Sequence, residues 1–125
     1  MILLDTSILI DYFRKKDKTK GTLFRLSKIS QEFAVSTITQ FEIYTGAPVD
    51  QIKEWDDFFK DVIIYPLDTP IALIAAKINS DLRKINKQID LADLFIAATA
   101  INHNLPCATL NRKHFERIGD LQLVD

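Results

Sequence analysis

The feature that most constrains the fold of this chain is an alternation of short apolar runs with longer segments whose apolar residues recur at helical spacing. The strand-like runs cover residues 2–4, 33–35, 62–65 and 107–109, with a weaker one at 121–124. Strands that alternate with helices form parallel sheets with helices on both faces. The sequence therefore predicts a three-layer α/β/α, Rossmann-like fold with a central parallel sheet.

Three segments between these runs have the pattern of helices. The first begins after Asp5, the second begins near Pro70, and the third spans residues 93–102 and is apolar nearly all round. The apolar stripe of the second helix comprises Ile71, Ile74, Ile78, Leu82 and Ile85. A helix that is apolar on every face belongs in the interior, so we expect the third helix to be buried.

Composition narrows the class of protein further. The 125 residues fit a single domain, 1–125, and 47% hydrophobic residues suffice for a packed core. One cysteine, Cys107, allows no internal disulfide, and its apolar neighbours predict a buried, unreactive thiol. The N-terminus has no basic segment and no run is long enough to span a bilayer, so we expect a cytoplasmic protein without membrane contact.

Acidic residues in three places attract attention, and each also has a purely structural explanation. Asp5 ends the first strand and could cap the following helix. Thr39 and Glu42 have the spacing of a capping box. Asp90 and Asp93 could each cap the helix that begins nearby, although capping needs only one of them. We assign Asp90 as the cap and place Asp93 in the first helical turn, facing the site.

Capping does not explain why Asp5, Glu42 and Asp93 should converge. Each is expected just past a strand-like segment, at the edge of a parallel sheet where binding sites gather. We also expect Glu42 to be half-buried, because Phe41, Ile43 and Tyr44 flank it. Carboxylates gathered at one edge repel one another unless a cation neutralises them. Oxygen ligands without a His or Cys cluster favour Mg²⁺ or Mn²⁺, ions suited to phosphodiester hydrolysis.

Several polar residues are candidates for supporting roles. Ser7 and Thr109 could orient a metal-bound water or form local backbone hydrogen bonds. Arg112 and Lys113 are candidates for phosphate contacts. His103 is expected to be structural near a helix C-terminus. His114 could lie near substrate phosphate, although we expect a surface role for it.

Four motifs in order resemble the PIN-domain family, and most closely its VapC branch of type II toxins. They are Asp5-Thr6-Ser7, Phe41-Glu42-Ile43-Tyr44-Thr45-Gly46-Ala47, Asp93-Leu94-Phe95-Ile96-Ala97-Ala98-Thr99-Ala100 and Thr109-Leu110-Asn111-Arg112-Lys113-His114-Phe115. The resemblance implies that Asp5, Glu42 and Asp93 bind the metal and that Asn111 takes a fourth catalytic position, often Asp in the family. It also implies an endoribonuclease acting on structured RNA, a homodimer, and a small cognate antitoxin that blocks the site.

Three other readings are kept as alternatives. One is a PIN-like nuclease that processes RNA without being a toxin, and another is a PIN-like module that binds RNA or a partner without cutting. The third is a receiver domain, which shares the fold class. Receiver domains need an acid pair after the first strand, whereas Asp5 has no adjacent acid. The clustered acids also argue against mere binding, because a surface that only binds phosphate has no use for negative charge.

Overall fold

The computed structural model describes residues 1–124, and these form a parallel four-stranded sheet in the order β3-β2-β1-β4. The strands are β1 (Ile2–Leu4), β2 (Phe33–Ser36), β3 (Ile63–Tyr65) and β4 (Cys107–Ala108). The helices are α1 (Thr6–Arg14), α2 (Thr22–Ser27), α3 (Thr37–Gly46), α4 (Ile52–Lys60), α5 (Thr69–Lys84), α6 (Leu91–Asn102) and α7 (Arg112–Phe115). The predicted domain 1–125 extends to Asp125, which lies outside the described residues.

The central strands divide the core into two layers because successive side chains point to opposite faces of the sheet. Leu4 and Val35 pack with α1 on one face, while Leu3 and Ala34 pack with α6 on the other. The α6 helix is largely buried between Asp93 and Ala100, as expected from its apolar composition, whereas its end residues Leu91 and Asn102 are exposed. The three-layer α/β/α fold with a parallel sheet is thus confirmed.

Some element boundaries differ from those expected. The strand-like run at 121–124 contributes only an isolated bridge from Leu123 to Cys107. The stripe expected on α5 ends early, because Ile85 lies past the last helical residue and is 60% exposed. Within residues 1–124, no helix combines the length and apolar character that crossing a membrane requires.

The direction of the chain decides where the site lies. Parallel strands end at one edge of the sheet, and α1 and α3 start there directly after β1 and β2. The α6 helix precedes β4 and is followed by a short turn, so it runs back against the strand direction. Its first turn therefore reaches the same edge. Side chains from the start of α1, α3 and α6 meet at the carboxyl end of the sheet.

Candidate metal-binding site

The carboxylate of Asp5 lies at the end of β1 and is held by two hydroxyl groups. Ser7 Oγ and Thr109 Oγ1 each donate to Asp5 Oδ2 over 2.7 Å, and the residue is only 2% exposed. Asp5 occupies the position before α1, but its side chain makes no capping hydrogen bond. The capping interpretation of Asp5 is therefore wrong, and its carboxylate remains directed toward the site.

The two hydroxyl groups are themselves fixed by the loop that follows β4. Ser7 Oγ accepts from the backbone N–H of Leu110 over 3.0 Å, and Thr109 Oγ1 accepts from that of Asn111 over 2.9 Å. Each hydroxyl thus has its proton directed at Asp5. In this structure Ser7 and Thr109 orient a carboxylate, a role that is more than local backbone bonding.

Asp93 lies in the first turn of α6 and is nearly buried, with 7% exposure. Burial raises the pKa of this carboxyl group above its usual value, the negative charge of Asp5 adds to the rise, and a hydrogen bond with His114 opposes it. Asp5 and Asp93 therefore face each other closely enough to repel. A divalent cation between them would relieve both the burial and the repulsion.

The route by which Asp93 reaches the sheet edge differs from the one expected. Asp93 does not follow a strand, because α5 lies between it and β3. Asp93 reaches the edge because it lies in the first turn of α6, which runs antiparallel to the strands. Asp90 occupies the N-cap position, as predicted, but makes no capping hydrogen bond with its side chain. The role of Asp90 as a side-chain cap is thus wrong.

Glu42 is arranged differently from the two aspartates. Its side chain is exposed, contrary to the half-buried position expected, and the neighbouring Phe41 is 64% exposed. Thr6 Oγ1 lies 2.7 Å from Glu42 Oε1 and 3.0 Å from Thr39 Oγ1. No capping box forms. A box with Thr39 as its cap requires a helix that starts at residue 40, whereas α3 already starts at Thr37.

The start of α3 has a cap of its own. The hydroxyl of Ser36 accepts a hydrogen bond from the backbone N–H of Ile38 over 3.1 Å. The Glu42 carboxylate is therefore not needed at the helix terminus and is held beside Asp5 through Thr6.

The donor chemistry fits a divalent cation, although the geometry is incomplete. Within residues 1–124, no three His, Cys, Asp or Glu side chains come together as a ready-made metal site. The charges of Asp5 and Asp93 interact, and Glu42 contacts Thr6, the residue that follows Asp5. Carboxylate oxygens suit Mg²⁺ or Mn²⁺, which usually keep several waters and bind through one or two carboxylates.

The residues after β4 form the other side of the site. A shallow groove of about 360 Å³ is lined by Leu110, Asn111, Arg112, Lys113 and His114. Asn111 is exposed and has its backbone, not its side chain, tied to Thr109. Arg112 is engaged by the carbonyl of Val124 at 2.7 Å and by Glu116. Lys113 is exposed beside them.

His114 was missed by sequence reasoning as a member of the site. Its side chain is 45% exposed, as expected for a surface residue, but its Nδ1 also lies 3.3 Å from Asp93 Oδ2. The signal available in the sequence was its position directly before Phe115, which is fully buried. His103 lies after the last turn of α6, as expected, and stacks on Tyr65 with ring centres 3.7 Å apart.

Cys107 lies in β4 and is fully buried, as predicted. Burial raises the pKa of its thiol, and the charges of Asp5 and Asp93 raise it further. A thiol held in its protonated form is a poor nucleophile. Cys107 is therefore part of the core beneath the site.

A larger groove of about 380 Å³ runs beside Glu42, between α1 and the segment from α3 to α4. Its lining includes the apolar side chains of Ile10, Phe13, Ile43, Pro48 and Trp55. The rings of Phe13 and Trp55 stack at 3.6 Å in its wall. Glu42 and Arg14 also line this groove, so the groove extends from the acidic site.

A known protein family and several solved structures are similar to this chain. The family model described as PIN domain matches residues 2–121. The chain belongs to the PIN-domain family. It is 40% identical over 124 residues to Ribonuclease VapC1 of Methanocaldococcus jannaschii, covering 98% of this chain and 84% of that protein. Members of the VapC branch generally depend on divalent metal ions.

Solved structures agree with this assignment. The fold superposes on a chain of VapBC-1 from nontypeable Haemophilus influenzae with a TM-score of 0.84 and 29% identity, covering 100% of this chain and 98% of that one. DNA-bound VapBC from Salmonella typhimurium gives a TM-score of 0.88 at 24% identity, with 99% and 96% coverage, and supports the fold. The PIN-like architecture of this chain is therefore that of the VapBC structures.

Proposed function

We propose that this PIN-domain protein is a divalent-metal-dependent endoribonuclease and the toxin of a type II toxin–antitoxin pair. The observation that carries the proposal is the pairing of the nearly buried carboxylates of Asp5 and Asp93 at the carboxyl edge of the sheet. The similarity to Ribonuclease VapC1 supplies the substrate class, RNA. We treat residues 1–125 as one PIN-like domain, supported by the family match over 2–121.

The proposed metal ligands are Asp5, Glu42 and Asp93, and the proposed ion is Mg²⁺ or Mn²⁺. When bound there, such an ion supplies positive charge that orients a phosphate and lowers the pKa of a water molecule. Ser7 and Thr109 hold the Asp5 carboxylate toward the site.

The groove after β4 is the proposed path of the RNA backbone. Lys113 is exposed there and is the candidate for a phosphate contact. Arg112 is the second phosphate candidate, although Val124 and Glu116 already engage its guanidinium group. Asn111 completes the proposed catalytic set, because its exposed amide lines this groove and would contact the substrate or a water molecule.

The test of this function is cleavage of a structured RNA by the purified chain. We expect cleavage in Mg²⁺ or Mn²⁺, none in excess chelator, and none from Asp5→Asn, which removes a ligand charge and keeps the shape. Asp57→Asn is the matched control, because Asp57 is exposed on α4 and pairs only with Lys60 in the described structure. Cleavage that persists in chelator, or in Asp5→Asn at the wild-type rate, contradicts the proposal.

An antitoxin is the proposed partner, supported by the toxin–antitoxin complex from Klebsiella pneumoniae that shares this fold. The apolar groove beside Glu42 is the proposed docking surface, because its aromatic wall adjoins the acidic site that an antitoxin must block. An antitoxin with an apolar segment would fit the groove, and a basic side chain on it would pair with the acidic site. The homodimer and the cytoplasmic location remain predictions, the second supported by the single reduced cysteine.

Purification of the tagged chain from its native cells should recover a small protein in stoichiometric amount. Ile10→Glu places a charge in the groove and is expected to lose this companion, because a buried unpaired charge is costly at an interface. Ile29→Glu introduces the same charge at a residue that is 65% exposed and should retain it. Recovery of the wild-type chain alone would contradict the antitoxin proposal and leave the nuclease proposal standing.

A further inference from the structure

The contact between His114 and Asp93 is the one feature of the site that the proposed ligand set does not use. His114 Nδ1 lies 3.3 Å from Asp93 Oδ2, with the imidazole partly exposed and the carboxylate nearly buried. An ionised carboxylate only accepts hydrogen bonds, so the contact is a hydrogen bond in the tautomer that carries its proton on Nδ1. Within residues 1–124, no other side chain forms a hydrogen bond with Asp93.

The two aspartates are therefore held by different means. Asp5 is fixed by the hydroxyls of Ser7 and Thr109, which are fixed in turn by backbone N–H groups. Asp93 has His114 alone. If this contact is removed, the side-chain support for one carboxylate is lost while that for the other remains.

The position of His114 follows from the packing of its neighbour. Phe115 is fully buried against Ile96, Ala97 and Ala100, which belong to the same helix as Asp93. This anchor holds the short α7 against α6. Its preceding residue is thereby placed over the first turn of α6, where Asp93 lies. The core thus sets the backbone position of His114, while its side chain, 45% exposed, reaches Asp93 from the surface.

We propose that His114 is a positioning residue whose Nδ1–H fixes the Asp93 carboxylate and thereby sets the affinity of the Asp5–Asp93 pair for a divalent cation. This inference rests on the proposed function, since it assumes that the pair binds metal. Carboxylates that bind metal ions are themselves hydrogen-bonded, and loss of such a partner typically costs about 10- to 100-fold in metal affinity or activity. His114 acts through Asp93 and is not itself a ligand.

The experiment is a titration of the metal-free chain with Mn²⁺, following the melting temperature. An ion that binds only the folded state raises the melting temperature by an amount that grows with the logarithm of one plus the ratio of its concentration to its Kd. The Kd fitted to this rise, called here the Mn²⁺ midpoint, reports affinity without any activity assay. His114→Leu removes the hydrogen bond and should raise the Mn²⁺ midpoint by about 10-fold or more. His114→Asn can place an amide N–H near the Nδ1 position and should restore most of the affinity.

His103→Leu is the matched control, because it makes the same substitution at the opposite end of α6, where the ring stacks on Tyr65. It should change the melting temperature without metal and leave the Mn²⁺ midpoint unchanged. An unchanged midpoint in His114→Leu overturns the inference while the metal site stands. An affinity lost equally in His114→Leu and His114→Asn also overturns it, because the hydrogen bond is then not the cause. No Mn²⁺ response in the wild-type chain overturns both the inference and the metal site.

Discussion

Asp93→Asn is expected to lower the rate of RNA cleavage by about 1000-fold or more, because the ligand charge that it removes supports several kcal/mol of transition-state stabilisation. The amide keeps the size of the carboxylate and can still accept from His114, so the fold should survive. Initial rates on one RNA substrate at saturating Mg²⁺ provide the measurement.

Asp90→Asn is the matched control for that change. Asp90 lies three positions earlier, at the N-cap of α6, and its side chain is exposed without a capping hydrogen bond. An exposed charge contributes no more than about 1 kcal/mol, so cleavage should stay within about fivefold of wild type. If Asp90→Asn abolished cleavage and Asp93→Asn spared it, the assignment of the metal ligand would be three residues in error.

The same substitution should affect the stability of the metal-free chain in the opposite direction. The pKa of Asp93 is raised by burial and by Asp5, so the folded chain binds this proton more tightly than the unfolded chain. Its contribution to stability is complete below the ordinary aspartate pKa of about 3.9 and is lost as the pH rises through the raised value. At neutral pH the ionised Asp93 carboxylate destabilises the metal-free folded chain, and Asp93→Asn removes this charge.

Melting curves in chelator across the acidic and neutral range test this expectation. Asp93→Asn should melt above wild type at neutral pH, and the difference should shrink as the pH falls and wild-type Asp93 takes up its proton. Asp90→Asn makes the same substitution at an exposed carboxylate and is measured alongside. A variant that melts below wild type at neutral pH would mean that Asp93 is stabilised by its surroundings without metal.

Phe115→Ala is expected to destabilise the folded chain by about 3–5 kcal/mol, the usual cost of emptying a buried aromatic site. Phe115 is fully buried against α6, and a domain's whole stability is about 5–15 kcal/mol. Denaturant unfolding of the metal-free chain measures the loss. The substitution also removes the anchor of α7, so the Mn²⁺ midpoint should weaken with it.

Phe41→Ala makes the same change at a phenylalanine that is 64% exposed. Its effect on the free energy of unfolding should stay within about 0.5 kcal/mol, as for most surface substitutions. Equal destabilisation by the two variants would show that α7 is not held by Phe115, and the explanation given for the position of His114 would fail with it.

The sequence by itself determined the fold class and the interior position of α6. The spacing of apolar residues along the chain reflects which side chains are buried. The apolar run at residues 2–4 and the continuous apolar stretch of α6 therefore predict a parallel sheet covered by helices. The same pattern located Asp5 at a strand end. It misjudged Glu42, because apolar neighbours do not ensure burial when the helix presents Phe41 to solvent.

Only the tertiary structure decided which side chains hold the carboxylates. Thr109 donates to Asp5 from 104 positions away, and His114 reaches Asp93 across 21. A hydrogen bond requires the donor–acceptor distance to be correct to within a few tenths of an ångström, and the donor to point at the acceptor. The packing of β4 and α7 on their neighbours determines these distances. They cannot be predicted from the spacing of apolar residues. The sequence therefore determined the sheet edge, and packing decided how the acids on it are held.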